Sequence, residues 1–411
     1  MKASKVKFAV FVYLAGVVAI HAAMFWNVRE SVRKGYSDFA IYYCAGTMVR
    51  QGLGHQLYDE PTQFKVQREF SPEVATRLGA LPYNHPPFEA VLFVPFTYVP
   101  YPSAFALWDL ANLAMLVTLP FLLRPHLAQL QNYPWPLWVL TSLGFFPIFV
   151  ALLQGQDAIL LLFLYALAFV CLKKNRDMFA GGWLALGLFK PHLVLPLILL
   201  LLVQGRKKVL YGFLPTAAVV ALISIAIVGR EGMMLYPRYV VHLEDTLAGG
   251  AIVPSDMPNL RGMLDVPFLG VPHIVTVILV TSLGLLVFTA LECRKIGKKN
   301  FFDLKFSLAA IATVLVSYHA MVYDLSVLMV PVFLLVNELL DKGKFRGYRS
   351  VLMMTAVATF FFPPLQLVLS MRDHRSALLG WVLLLWLFGI AEEISFRTSE
   401  NIGLQNPGTA G

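Results

Sequence analysis

The sequence predicts an all-helical protein that crosses a membrane many times, because of its composition and its long apolar runs. Hydrophobic residues make up 58% of the 411 residues and charged residues 14%, whereas soluble domains are about half apolar and about a quarter charged. The mean hydropathy is +0.68. The apolar runs are continuous rather than alternating, which favours helices over a transmembrane barrel. Composition therefore excludes a soluble enzyme, a disordered chain and a disulfide scaffold.

The charge and cysteine content exclude further classes of function. We interpret the net charge of +9 as basic cytoplasmic loops that face anionic lipid, not as a nucleic-acid-binding surface. The cysteines, Cys44, Cys171 and Cys293, show no disulfide framework. None has a second cysteine or histidine at the spacing of metal ligands. We therefore expect no nucleic-acid partner, no cofactor and no metal site.

The first apolar run, 8–26, follows three lysines. It lacks the cleavage site of a signal peptide, so we expect an uncleaved first helix with a cytoplasmic N-terminus. A large outer loop, 27–101, comes next, with short amphipathic helices expected at 39–50 and 61–70. The apolar run 86–99 is too short to span easily, although a span there would change the side of every later loop.

The rest of the chain alternates apolar runs with polar loops. A full span needs about 20 apolar residues. We expect a second outer loop at 229–272 and a flexible cytoplasmic tail at 392–411, which leaves residues 1–391 as a single membrane domain of about 10–12 segments. Besides 8–26, the predicted full spans are 103–123, 137–153, 156–172, 209–228, 273–291, 306–319, 325–340, 350–369 and 376–391.

One further apolar segment, 179–203, is interrupted by Lys190 and Pro191. Each half is about 18 Å long at ~1.5 Å per residue, which is too short for a core of ~30 Å. Basic residues flank both ends, so a re-entrant hairpin with its tip at Lys190 fits the pattern. A proline-kinked helix and two tilted spans remain alternatives. Lys/Arg residues are densest in the predicted inner segments, as expected for cytoplasmic loops.

Polar residues that this topology does not explain gather in the outer loops and at outer helix ends. Ionisable groups near lipid are costly to bury, so they are candidates for function. The clustering indicates an active site at the outer membrane–water boundary. The residues concerned are Asp38, Tyr42, Tyr43, His85, Gln156, Lys190, Arg261, His319 and Asp324.

Each of these residues also has a structural interpretation. Asp38 and Asp324 are placed to cap helices that follow them. Tyr42 and Tyr43 suit interfacial anchors, and His85 and Gln156 suit polar turns. Lys190 has a structural pair available in Asp109, or a lipid phosphate as an alternative partner. Arg261 has the fork geometry of a phosphate ligand, but also fits an ordinary surface arginine.

Six short strings occur in order between the predicted spans: SDFAIYYCAG at 37–46, LYD at 57–59, YNHPPF at 83–88, GQ at 155–156, KP at 190–191 and SYHAMVYDL at 317–325. Together they resemble glycosyltransferase family 87, within the membrane-embedded GT-C class, over nearly the whole chain. The resemblance implies a GT-C-like helical bundle. It also implies a hexosyltransferase that uses a polyprenyl-phosphate-linked sugar, usually mannose, and a lipid or glycan acceptor.

The resemblance also implies a catalytic aspartate soon after the first helix, a position that only Asp38 matches. We expect a single-displacement, inverting reaction at the outer face of the plasma membrane, with Asp38 as general base. The expected donor-binding residues are Lys190, His319, Arg261 and His85. The expected acceptor- and sugar-binding residues are Tyr42, Tyr43, Gln156 and Asp324.

Two other classes of function share parts of this pattern. A lipid or solute transporter has similar hydropathy and broken helices, but it needs ionisable residues deep in several helices, and few are present beyond Asp109 and Lys190. A ligase or polymerase of lipid-linked glycans uses similar outer loops, and its products distinguish it from a single-sugar transferase.

Overall fold

The computed structural model is a bundle of α-helices, which confirms the predicted fold class. It describes residues 2–73, 81–247, 253–265, 273–295, 301–341, 349–373 and 378–405, and no β-strand occurs in these ranges. The α-helices within them are α1 Lys2–Arg33, α2 Phe39–Arg50, α3 Glu60–Phe70, α4 Pro87–Phe93, α5 Tyr101–Leu123, α6 Trp135–Gly144, α7 Phe146–Gln154, α8 Ala158–Lys173, α9 Asp177–Leu186, α10 Pro191–Val203, α11 Val209–Leu247, α12 Leu260–Asp265, α13 Ile274–Arg294, α14 Phe302–Val316, α15 Met329–Leu340, α16 Arg349–Asp373 and α17 Leu378–Gln405.

Fewer helices are long enough to cross a membrane than the ten full spans predicted. Among the described residues six helical segments have the length and apolar character of a span: α1, α5, α11, α13, α17 and the segment Val322–Leu340 that contains α15. The pair α6 and α7 makes a seventh if its 71° bend is counted within one span. Prolines and short turns divide several other apolar runs into helices below the length of a span, as Pro191 does between α9 and α10.

The predicted loop 27–101 contains most of a small helical subassembly. Helices α2 and α3 match the segments predicted at 39–50 and 61–70. Phe39, Tyr42 and Met48 are fully buried, so the apolar side of α2 packs against other parts of the protein. Tyr42 stacks on Phe93 of α4 with ring centroids 4.7 Å apart. A helix that is apolar on most sides is stable only when other helices cover it.

Two other predicted boundaries differ from the structure. Helix α11 is interrupted by a kink at Gly229, and a second helical segment runs from there to Leu247, where the sequence predicted a loop from 229. The bend is possible because Gly229 has φ 73° and ψ 177°, a conformation that residues with a Cβ rarely adopt. Helix α17 continues to Gln405, past the predicted start of a flexible tail at 392. Residues 406–411 of that tail lie outside the described residues.

The buried side chains form two main apolar clusters, and the candidate site lies where they meet. The larger cluster is formed mainly by α8, α10, α14 and α15 and by the helices around them. The smaller is rich in aromatic residues and is formed mainly by α2, α4 and the beginning of α5, with further residues from α3 and α11. A cavity between the two clusters has Ile41, which packs on the smaller cluster, and Phe189 of the larger one in its wall.

Candidate active site

A cavity of about 430 Å³ brings together polar residues that are far apart in the sequence. Most of them lie at helix ends and in the connections between helices. Six of the nine predicted site residues line the cavity, and Arg261, Tyr42 and Tyr43 do not. The polar lining residues are Asp38, Asn84, His85, Gln154, Gln156, Lys190, His192, Tyr236, Asp256, His319, Tyr323 and Asp324.

Asp38 stands at the N-cap position of α2, but its side chain makes no capping hydrogen bond. Instead, the Gln156 side-chain amide donates to Asp38 Oδ2 over 2.6 Å. The Asp38 backbone N–H donates to Gln154 Oε1 over 3.2 Å. The carboxylate is half-buried and reaches the cavity. This geometry does not support the cap interpretation, because the carboxylate is held by the Gln156 amide and not by the first turn of α2.

The turn between α7 and α8 delivers both glutamines to Asp38. Gly155 in this turn has φ +63°, a left-handed conformation that favours glycine. A Cβ on Gly155 would lie 2.7 Å from the Phe39 Cβ, so glycine also permits the close approach of this turn to α2. In the local sequence Gln-Gly-Gln, the glycine therefore allows the turn to pack closely against Phe39 of α2. The glutamines on either side of it then reach Asp38.

Tyr42 and Tyr43 lie behind the cavity wall. Tyr42 is fully buried and its hydroxyl donates to Gln156 Oε1 over 2.7 Å. The Tyr43 hydroxyl donates to the Val99 carbonyl over 2.9 Å. The structure thus arranges Tyr42, Gln156 and Asp38 as a chain of hydrogen bonds. In this chain Tyr42 orients the amide that in turn holds the carboxylate, and neither tyrosine faces the cavity.

Lys190 is 4% exposed and contacts two carboxylates at the break between α9 and α10. Its Nζ lies 2.9 Å from Asp157 Oδ1 and 2.8 Å from Asp324 Oδ1. Lys190 therefore pairs with Asp157 and Asp324, and not with Asp109, the partner that the sequence suggested. Asp324 also accepts the Met321 backbone N–H through Oδ2 at 2.9 Å, so it caps the start of the 3-10 turn Val322–Leu328, in which it lies, as well as pairing with Lys190.

His85 lies next to two further carboxylates that the sequence analysis did not select. Its Nδ1 is 2.8 Å from Glu89 Oε2 and 3.6 Å from Asp157 Oδ2. Burial lowers the pKa of the His85 imidazole to about 4, so the ring is neutral at neutral pH. Burial, and then the neighbouring Asp157 carboxylate, raise the pKa of Glu89 well above its usual range.

Another histidine, His192, also lines the cavity and meets His319 edge to face, with ring centroids 6.4 Å apart. His192 follows Lys190 at the start of α10, and His319 lies between α14 and α15. Arg261 is 6% exposed and lies outside the cavity lining. Its Nη1 donates to the Tyr318 carbonyl over 3.2 Å, and its guanidinium lies 4.1 Å from the centroid of the Tyr318 ring.

Sequence reasoning missed Glu89, Asp157, His192 and Asp256 as members of this site. Asp157 directly follows Gln156, and His192 is two residues after Lys190. Their closeness in the sequence to these predicted site residues could have indicated that they belong to the site. Glu89 is the only acidic residue in the apolar run 86–99, and an isolated charge in such a run indicates a partner. Asp256 carries no comparable local signal.

The fold and the site together define a class: an integral membrane protein of several helical spans with a polar, carboxylate- and histidine-lined cavity at its helix ends. The chain belongs to glycosyltransferase family 87, whose model matches residues 83–317, more than half of the sequence. It is therefore a membrane glycosyltransferase. No curated protein and no solved structure matches the chain. Asp38 precedes the matched range, whereas the turn at 155–156 and the histidine at 192 lie within it.

Proposed function

We propose that the chain transfers a hexose, with mannose as the expected sugar, from a polyprenyl-phosphate-linked donor to a lipid or glycan acceptor. The observation that carries the proposal is the position of Asp38. Its carboxylate is held by Gln156 at 2.6 Å and faces the same cavity as His192 and His319. One side of the cavity thus offers a base for an acceptor hydroxyl, and another offers groups that bind an anion.

The reaction is a single displacement at the anomeric carbon. Asp38 takes the proton of the acceptor hydroxyl while the acceptor oxygen forms a bond to the anomeric carbon. The bond between that carbon and the phosphate oxygen breaks, and polyprenyl phosphate leaves as an anion. The configuration of the anomeric carbon inverts, because the base and the leaving group act on opposite faces of the sugar. A phosphate leaving group needs no proton from a general acid.

The developing charge on the phosphate needs donors that are fixed before the reaction. His319 and His192 are the groups proposed for this task, since both line the cavity. Lys190 contributes less directly, because its ammonium already contacts two carboxylates at 2.8 and 2.9 Å. Arg261 lies outside the cavity and is no longer among the proposed donor contacts. Asp324 and Gln156 remain candidates for sugar hydroxyls at the cavity surface.

The site is proposed to open to the outer face of the plasma membrane, with the N-terminus of α1 on the cytoplasmic side. The lysines at the start of α1 and the basic residues that follow α8 and α10 support this orientation. Only 11% of the apolar part of α1 is buried by the rest of the protein, so most of its surface is available to lipid. The cavity itself is lined in part by Tyr236 and Val240 of α11, another candidate span, so a donor with a long polyprenyl chain fits this location.

A donor panel in proteoliposomes tests this proposal. Purified full-length protein is given polyprenyl-phosphate-mannose, polyprenyl-phosphate-glucose or a nucleotide-linked mannose, each radiolabelled, together with a membrane lipid extract. The proposal expects a new glycolipid only with the polyprenyl-phosphate donors, and product anomers inverted relative to the donor. Transfer from the nucleotide sugar alone would overturn the donor class. Retention of configuration would overturn the single displacement, and addition of many sugars would identify a polymerase instead.

A further inference from the structure

We propose that His85, Glu89 and Asp157 bind one divalent metal ion, with Zn²⁺ as the expected occupant, directly behind the cavity wall. The site is distinct from the proposed transfer chemistry at Asp38 and does not depend on it. It also differs from the expectation of no metal site drawn from the sequence. Asp157 is 68 positions beyond Glu89 in the numbering, so no ligand spacing in the sequence indicates the set.

The distances fit a first coordination shell. His85 Nδ1 lies 2.8 Å from Glu89 Oε2 and 3.6 Å from Asp157 Oδ2. One ligand atom from each residue lies within 4.8 Å of the other two. Ligands bound to Zn²⁺ at about 2.0–2.2 Å in a tetrahedron are about 3.4 Å from one another. Small side-chain adjustments therefore bring all three atoms onto a common ion.

The orientation of these groups supports the same conclusion independently. Among the described residues, His85 Nδ1 and both carboxylate oxygens of Glu89 have no hydrogen-bond partner with acceptable angles, although they lie close together. Glu89 is 1% exposed and Asp157 is fully buried. Buried polar atoms that lie this close together without a hydrogen bond between them are the arrangement expected for ligands of one ion. Leaving such buried groups unsatisfied costs ~1–3 kcal/mol each, and a shared cation would satisfy them together.

The charge balance also favours a divalent ion over a proton. The buried group contains the carboxylates of Glu89, Asp157 and Asp324 but only one ammonium, that of Lys190. Counted with all three carboxyl groups ionised, the carboxylates exceed the ammonium by two charges. A proton shared by Glu89 and Asp157 removes one of them, whereas a divalent cation removes both. Asp157 would then bind the metal through Oδ2, while its other oxygen, Oδ1, keeps the contact with the Lys190 ammonium. Lys190 would therefore fix the orientation of a metal ligand.

The ligand chemistry selects the class of metal. One imidazole with two carboxylates suits Zn²⁺, Mn²⁺ or Fe²⁺, whereas Mg²⁺ and Ca²⁺ prefer oxygen ligands alone. The neutral ring of His85 is the form that binds a metal. His85 also lines the cavity, so an ion and its water ligand have an entry path. The ion would join the segment that precedes α4 to the turn that carries Gln156, and so hold two walls of the cavity together.

Metal loading of the full-length protein in detergent tests the proposal. The protein is treated with a chelator and dialysed. It is then titrated with Zn²⁺ and, separately, with Co²⁺, with metal analysis and visible absorption as readouts. The expected result for the wild type is about one tightly bound Zn²⁺ per chain and the visible d–d bands of Co²⁺ in a low-coordinate site. Glu89→Gln removes one ligand charge without changing volume, and it should weaken Zn²⁺ binding at least about tenfold.

The matched control is Glu60→Gln, which removes an exposed carboxylate of α3. It should bind Zn²⁺ as the wild type does. Equal affinity in Glu89→Gln and wild type would overturn the proposal, because the ion would then lie elsewhere. Should Glu89→Gln fail to fold, the Co²⁺ spectrum of the wild type decides alone. Absence of the bands would mean that a shared proton neutralises the cluster instead. None of these readouts uses sugar transfer, so they are independent of the proposed enzymatic function.

Discussion

Replacing Lys190 by Met separates two roles for this lysine, because the replacement removes the charge and nearly keeps the length. In the structure the Lys190 ammonium lies between Asp157 and Asp324, 2.9 and 2.8 Å from their oxygens. All three side chains are buried, with relative exposures between 0 and 5%. Taking one partner out of a buried ion pair costs ~3–5 kcal/mol, because the other charge is left without compensation. We expect Lys190→Met to lower the free energy of unfolding by about this amount.

A second variant measures how much of that loss comes from Asp324. Asp324→Asn removes one negative charge but retains an oxygen to accept the Met321 N–H. Because one of the two uncompensated carboxylates is gone, the double variant should be more stable than Lys190→Met alone. We expect a coupling energy at the upper end of the ~0.5–3 kcal/mol seen for contacting residues.

The assay is denaturant unfolding of the detergent-solubilised variants, followed by tryptophan fluorescence, with transfer activity measured in parallel. Reduced stability, partly restored in the double variant, supports the ion-pair role. A Lys190→Met protein that is as stable as the wild type but inactive would refute the reasoning. Lys190 would then be a ligand of the donor phosphate. Strict additivity of the two substitutions would refute the pairing with Asp324.

Other contacts lead to predictions of similar kind. Gln156→Leu should lower kcat about tenfold to hundredfold, since a hydrogen bond to a charged group contributes ~1.5–3 kcal/mol. A change confined to KM would mean that Gln156 contacts the substrate and does not position the Asp38 carboxylate. Tyr42→Phe should cost less, about fivefold in kcat, because it removes only a neutral hydrogen bond of ~1 kcal/mol; no change in the initial rate would exclude a role in orienting Gln156. Gly212→Ala should destabilise the fold by ~3 kcal/mol or more, since its Cβ would lie 1.8 Å from a backbone oxygen of α9. Gly284→Ala, with nothing within 4 Å, is its control in the same unfolding assay, and equal stability of the two variants would contradict the packing argument.

Local signals in the sequence predicted the features that depend on a few neighbouring residues. The fold class follows from the length of the apolar runs. The positions of α2 and α3 and the break at Lys190 and Pro191 follow from side chains within one or two turns. The turn at Gln156 was selected for the same reason, because a polar Gln-Gly-Gln sequence between two apolar runs stands out.

Features that depend on which helices pack together were not predictable in this way. The burial of α2 and the position of Arg261 outside the cavity depend on tertiary contacts with distant segments. The same holds for the partners of Lys190, since Asp157 and Asp324 come from different turns. The continuation of α11 past Gly229 was missed because the polar composition of 229–247 resembles that of a loop.

The most direct test of the central claim compares two carboxylates that line the same cavity, Asp38 and Asp256. The measurement is the initial rate of mannose transfer from polyprenyl-phosphate-mannose in proteoliposomes that contain equal amounts of folded protein. If Asp38 is the general base, Asp38→Asn should lower the rate by about 10²–10⁴-fold. Asp256→Asn should lower it by at most about tenfold, the size of one ordinary hydrogen bond of ~1 kcal/mol. A transfer rate retained in Asp38→Asn, or lost only in Asp256→Asn, would contradict the assignment.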